Sequence, residues 1–399
     1  MAGASETVQH GLSEHSHGFG VPIQTRSERV KSTKLADFAE ISTREEQWRY
    51  IGSDELGGLD KPGLDEFSGD ITATTAEGVE TSWIESDNAL FGAAGTPEDR
   101  VSAAGWEAAK AAYLISIPAN QTPSEPSRIE IKSLVADPAA LHVVVNAGKA
   151  SSSTVVIEHH GDAVLSENIE VIVEDEASLT LVSIQEWNSK SIHSSAQFAK
   201  LGRNSKFKHI VVSLGGSVVR VTPSAYFDAP GGDVALYGLY FADAGQYLEN
   251  RIFVDHSQPN CKSRVTYKGA LQGQKAHTVW VGDVLIRATA EGTDTYELNR
   301  NLLLTDGARA DSVPNLEIET GQIQGAGHAS ASGRFDDEQL FYLQARGIDE
   351  LEARRLVVRG FLMEIVQQIG IADLEDRLAT AIEDELEGAS KEWRSEFVT

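Results

Sequence analysis

From about residue 126 to 333 the chain reads as short β-branched runs that alternate apolar and polar residues and are separated by turns. The runs KASSSTVVI, ASLTLVSI, SKFKHIVV and VALYGLYF follow turn residues Gly148, Glu176, Asn204 and Asp233, at separations of 28, 28 and 29 residues. Further starts at Asn260 before CKSRVTYKG, Asp283 before VLIRATA and Gly307 before ARADSVPNLEIE continue the series at slightly shorter intervals. Strands this short cannot bury both faces alone, whereas equally spaced turns let successive units stack with like side chains in register. An antiparallel sandwich has no need of a fixed period, so the pattern predicts a parallel β-helix or similar solenoid over 126–333.

The flanks carry a different periodicity. After Gly333 the text turns helical: Asp336-Asp337-Glu338 opens an amphipathic helix that ends at Gly347. Asp349 as N-cap with Glu352 three residues on starts a second helix, with Leu351, Leu356, Val357, Phe361, Leu362 and Ile365 as its expected buried stripe. A third helix is expected from about 372 to 387, which makes 334–399 a helical C-terminal subdomain. On the other side, a capping-box pattern at Thr43, an aromatic anchor at Trp48 and Tyr50, and the small-residue face of 99–112 predict a mainly helical N-terminal subdomain over 31–125. Residues 1–30, with His10, His15 and His17, lack periodicity and are expected to form a mobile arm.

Composition narrows the function classes. The 60 acidic residues against 34 Lys and Arg give a net charge of −26, which speaks against nucleic acid, because phosphate contacts need cations. Acidity spread along the whole length also suits work in concentrated salt. Cys261 is the single cysteine, so neither an intramolecular disulfide nor a Cys-rich metal cage can come from this chain. No apolar leader follows Met1, and the longest apolar stretch, 356–371, is broken by Arg359 and Glu364, so no membrane span and a cytoplasmic location are expected.

No P-loop, dinucleotide fingerprint, nucleophile elbow or HExxH motif is present. A row of carboxylates along one solenoid face would fit a stand-alone polysaccharide lyase or hydrolase, but acidic residues are too abundant for such a row to stand out. His159 and His160 fall on opposite faces of a strand and are expected at the surface and edge. His256, five residues before Cys261, is either a secondary candidate site or a buried neutral imidazole beside an inert core thiol. Arg354, Arg355 and Arg359 either pair with the acidic helices or dock a partner subunit. His328 lies in the small-residue run GAGHAS between the last β run and the first closing helix, where another backbone can approach closely.

Several segments occur together in an order that resembles the SufB/SufD family of iron–sulfur cluster assembly proteins, its SufD branch most closely. They are DHSQPNC from Asp255, YKG from Tyr267, NRNLLL from Asn299, PNLEI from Pro314, GHA at 327–329 and EQLFYL from Glu338 with Arg346-Gly347; EEQWRY from Glu45 is similar at the other end. The resemblance implies a right-handed parallel β-helix core between helical segments, pairing with a SufB-like subunit through the β-helix, and a SufC-like ATPase held by the C-terminal helices. Leu340, Phe341, Tyr342, Arg354, Arg355, Arg359 and Phe361 are then the expected docking residues, and ATP hydrolysis is supplied in trans. His328 matches the family's histidine at the cluster-building interface, where it would ligate iron or move a proton. Two departures stand out: Ala326 and Ala310 occupy positions where family members carry cysteines. The implied persulfide must then come from the SufB-like partner. The chain is expected to bind no cofactor by itself. A transient iron–sulfur cluster or iron is expected at the interface, reduced flavin is an expectation for the complex, and self-pairing is open where the SufB-like subunit is absent.

Overall fold

The computed structural model describes residues 29–334 and 337–396, without the side chains of 337–339 and 387–396. The arm expected at 1–30, apart from its last two residues, therefore lies outside the described residues. Arg29 is clamped between Glu98 (2.9 Å) and Asp283 (2.6 Å) and lies over the Phe253 ring.

The segment expected to be mainly helical, 31–125, is mixed instead. It holds three 3-10 turns, strands β1 (Asp65–Glu66), β2 (Asp70–Thr74) and β3 (Glu80–Glu85), one helix α1 (Arg100–Ala108) and strand β4 (Ala111–Ile117). The alternating runs DITAT and ETSWIE favour strands, and they pair antiparallel with the solenoid's first coil and with β4. Helix α1 stops at Ala108 because the next run, AAYLISI, is taken up as a strand parallel to the first coil. Asp99 caps α1 by accepting from the Ser102 N–H (2.8 Å), and its other oxygen receives the buried Arg220 guanidinium at 2.5 Å. One side chain thus starts the helix and ties it to the coil behind it.

The solenoid is built from long β5 (Ser127–Ala147) and β6 (Ser152–Val173), then β7 (Ser178–Trp187), β8 (Ile192–Leu201) and β9 (Lys206–Ser213). It continues through β10 (Val218–Phe227), β11 (Asp233–Ala242), β12 (Tyr247–His256) and β13 (Lys262–Leu271). It closes with β14 (His277–Ile286), β15 (Asp294–Leu303), β16 (Arg309–Ile318) and β17 (Gly325–Gly333). All pairings along the stack are parallel and give about eight coils. One sheet runs through β6, β8, β10, β12, β14 and β16; the other through β6, β7, β9, β11, β13, β15 and β17. Strand β6 serves both because it bends at Gly161, whose φ is 92°.

The coil length is not constant. Val164 pairs with Ile192, 28 residues on, and His277 with Arg309, 32 residues on, so the coils lengthen towards the end where shorter intervals were expected. Asp283, read as a turn residue, lies inside β14. The true markers are left-handed residues two positions before a strand: Ala150, Glu176, Asn204, Gly231, Asn260 and Gly292 in the second sheet as far as β15, and Gly216, Gly245, Lys275 and Gly307 in the first sheet from β10 on. Between the sheets lies a core rich in Val, Ile, Leu and Phe, which runs from Ala76 to Ala290.

The closing helices are α2 (Asp337–Gln344), α3 (Glu350–Val366) and α4 (Ala372–Glu396). Val358, Leu362, Ile365 and Val366 of α3 and Leu374, Leu378 and Ile382 of α4 pack on the outer face of the second sheet. The face that α3 buries is therefore rotated from the expected stripe. Leu356 is exposed, because the sheet beneath and α4 beside it set the buried side and Leu356 falls outside both.

Candidate functional site

The last two strands end the stack without neighbours. Among the described residues β16 pairs only with β14, and β17 only with β15, so each presents a free backbone edge. Register places Ala310, Ser312, Pro314 and Leu316 of β16, and Ala326, His328, Ser330 and Ser332 of β17, on the phase that faces the lumen in the coils below. With no coil above them these residues frame an open mouth. His328 is exposed on that rim.

Beneath the rim the lumen turns polar. In β15 the inward residues are Thr295, Glu297, Asn299 and Asn301, all buried. Tyr240 donates to Asn301 Oδ1 (2.6 Å) and accepts from Asn299 Nδ2 (2.8 Å). Ser312 donates to Asn299 Oδ1 (2.7 Å), and Asn301 Nδ2 donates to Ser312 and Ser332 at 3.1 and 3.0 Å. This network bolts β15 to both end strands. Glu297 stands apart from it: burial, with the Asp283 charge added, pushes its carboxyl up to about 8.

A second polar cluster is sealed in the middle of the solenoid. His159, expected at the surface, is fully buried, because it falls on the inward phase of β6 with Val155 and Ile157 and so points into the lumen between the sheets. His159 Nδ1 donates to the Ile184 carbonyl (2.9 Å), so Nε2, 3.0 Å from Glu167, holds a proton only as imidazolium. Burial opposes that charge, but the Glu167 carboxylate outweighs it and raises the His159 pKa. Burial likewise opposes the charge on Glu167, yet His159 holds the carboxyl well below its usual range. Ser195 also donates to Glu167 (2.7 Å). His193 Nδ1 accepts the Trp187 indole N–H (3.0 Å), which puts the ring proton on Nε2, 3.3 Å from Glu167. The three donor groups lie within 4.8 Å of one another, as metal ligands do, but His193 turns a proton rather than a lone pair to the centre. The cluster is a buried ion pair with a neutral neighbour.

The remaining sequence candidates fall into two groups. His256 is buried, donates or accepts at Ser263 Oγ (2.9 Å) and is pushed down to about 3 by burial; the Cys261 thiol is a core group raised by burial. Neither is placed at the mouth. On the closing helices Leu340 is buried at 6% exposure, which removes it from any docking surface, while Phe341 (72%) and Tyr342 (56%) are exposed, the latter with the Arg346 guanidinium over its ring. Phe361 is half-buried under Lys268. The arginines are engaged within the chain: Arg354 with Glu350 (2.7 Å), Arg355 with Glu383 (2.8 Å) and Arg359 with Glu383 (3.3 Å).

The residues that sequence reasoning missed are Glu297 and the Glu167 cluster. The signal for Glu297 was present in DTYELNRNLL, where the inward phase is polar at four successive positions while the coil below carries Val265 and Tyr267 opposite Glu297 and Asn299.

The model of the SUF system iron–sulfur cluster assembly SufBD core domain matches residues 133–361. An iron–sulfur cluster assembly SufBD family protein of Mycobacterium tuberculosis is 49% identical over 353 residues, covering 86% of this chain and 89% of that protein. The chain belongs to the SufBD family. More distant SufBD relatives are the iron–sulfur cluster assembly protein SufD of Bacillus subtilis, 30% identical over 61% of this chain and 56% of that protein, and SufD of Escherichia coli, 28% identical over 45% and 42%. The SufBD core match runs from β5 into α3, so it includes both end strands, Glu297 and His328.

Proposed function

We propose that this chain is a SufD-type scaffold subunit of iron–sulfur cluster assembly, which joins a SufB-like subunit at the open end of its solenoid and carries a SufC-like ATPase on its closing helices. The observation that carries this reading is the rim itself: two strands with one edge unpaired among the described residues frame the mouth, β17 presents His328 there, and the neighbouring inward positions 310 and 326 are alanine. A partner with a matching edge extends the ladders, and a thiol it brings meets an imidazole that is already exposed. Iron and sulfide are substrate at that seam. ATP hydrolysis comes from the partner ATPase, in keeping with a sequence that has no P-loop, and any reduced flavin belongs to the complex. A stand-alone polysaccharide enzyme fits less well, since the outer faces where a chain of sugars would lie are packed under α1, α3 and α4.

The test is a pull-down at high salt combined with His328→Ala. Expected are capture of SufB-like and SufC-like subunits by both forms, and at least a tenfold slower cluster maturation by the variant complex. A variant complex that matures iron–sulfur enzymes at the normal rate removes His328 from the chemistry, and failure to capture either subunit removes the scaffold reading.

A further inference from the structure

In the ladder between β15 and β17 the register partner of His328 is Glu297. Register partners in a parallel sheet stand about 4.8 Å apart and point to the same face, so the two side chains are neighbours on the lumen phase. Glu297 is 1% exposed, and neither carboxyl oxygen has a hydrogen-bond partner. The carboxyl reaches across the lumen to β14, where Gly282 makes room: a Cβ there would lie 2.7 Å from Glu297 Oε1 and 2.5 Å from the Trp280 ring. Equally buried carboxylates elsewhere are held by several donors. Glu167 has His159 and Ser195; Glu170 has His142 (2.8 Å) and the Gly92 and Ala94 N–H groups (2.6 and 2.8 Å); Glu249 has Tyr247 (2.9 Å) and Arg251 (3.1 Å). A structural role does not account for Glu297, since an apolar residue in the same slot would pack without an unpaired polar group.

We propose that Glu297 and His328 together form a seat for one divalent iron ion at the mouth of the solenoid, with the remaining positions open to water and to a thiolate from the partner subunit. This rests on the reading of the open end as the assembly seam. Mixed oxygen and nitrogen donors suit Fe(II), and an open set of positions suits an ion that is to be passed on rather than kept. On binding, the Glu297 O–H bond breaks, an Fe–O bond forms and the proton leaves to solvent; His328 contributes a ring-nitrogen lone pair, and iron keeps its oxidation state. The neighbouring Asp283 is not available as a further ligand, because Arg29 and Asn315 occupy its two oxygens.

The experiment titrates the full chain anaerobically with Co(II), read by its visible absorption, and with Fe(II), read by calorimetry. One equivalent is expected to bind, with affinity at least tenfold weaker in Glu297→Gln and in His328→Ala, and with the double variant little worse than either. Glu297→Met serves if the Gln variant does not fold, and thermal unfolding with and without Co(II) gives a second readout, a midpoint raised in the parent chain and unmoved in the variants. Binding by Glu297→Gln as tight as that of the parent, or no binding by the parent, overturns the seat. Capture of a SufB-like subunit by Glu297→Gln, measured alongside, reports on the seam separately: retained capture with unchanged metal affinity sinks Glu297 alone, and lost capture by the parent sinks the seam.

Discussion

At the scale of single residues, two buried carboxyls in one solenoid behave in opposite ways because their surroundings differ. Glu297 has no donor and is pushed up to about 8. Its folded value lies above that of the unfolded chain, so the native state keeps a proton the unfolded state has lost, and stability falls as pH rises from the ordinary carboxylate range towards 8. Glu297→Gln is therefore expected to stabilise the metal-free chain by on the order of 3 kcal/mol near pH 7 and by almost nothing near pH 4, as measured by denaturant unfolding. Equal stability at both pH values would mean that the carboxyl finds a donor. Glu167 has three neighbours turned towards it and is held low. Its contribution is present above the ordinary carboxylate range and lost as pH falls, while that of His159, whose pKa is raised, is present below the ordinary imidazole value and lost as pH climbs past the folded one. Glu167→Gln should accordingly cost about 3–5 kcal/mol near pH 6, since it strands a buried imidazolium, and less at either extreme. The polar inward phase of DTYELNRNLL could single out Glu297, but sequence could not say which of the two carboxyls would find donors. Both are a Glu on an alternating strand, and only the stacking of coils decides which donors come within reach.

Elements were more legible than residues, and unevenly so. The stacking of short strands could be read from spaced turns because the coil geometry places a left-handed residue two positions before most strands, and Glu176 and Asn204 were among the residues singled out. Where glycine performs the same task, at Gly231 and Gly292, the signal merges with that of ordinary turns, which is why Asp283 in mid-strand was taken for a start. Gly292 shows how strict the requirement is, with φ of 73° and the Asn260 side-chain oxygen 2.5 Å from where a Cβ would stand. The closing helices were legible in their caps and not in their faces. Asp349 accepts from the Glu352 N–H (3.2 Å) as its capping pattern requires, but which side of α3 is buried depends on a sheet far away in sequence. The outcome leaves Phe341, Tyr342 and Leu356 exposed on α2 and α3 while the arginines are spent on Glu350 and Glu383. If these apolar side chains are the dock for a SufC-like ATPase, the double variant Phe341→Ala/Tyr342→Ala changes unfolding free energy by less than about 1 kcal/mol yet loses capture of the ATPase. Capture at parental strength would move the dock elsewhere.

Over its described residues the molecule is a stack covered at one end and open at the other. The first coil is covered by β2 and by the β3–β4 pair, as the terminal repeats of a solenoid require, whereas β16 and β17 have no such cover among the described residues. Two bare edges would ordinarily invite association with any strand that passes. Here they belong to a chain with 60 acidic residues against 34 Lys and Arg, and that imbalance opposes the approach of a second copy just as it opposes the compact state. Screening relieves both effects, because the Debye length shrinks from about 10 Å at 0.1 M salt to about 3 Å at 1 M. The pairs that hold the stack together do not weaken in step. Arg220 with Asp99 and His159 with Glu167 are buried, and salt does not reach them. Raising KCl from about 0.1 to 2 M should therefore increase the unfolding free energy, since surface repulsion fades while the internal pairs keep their strength. A stability that stays flat or falls across that range would show that the excess negative charge is already spaced widely enough to be harmless, and would remove the case for a protein adapted to concentrated salt.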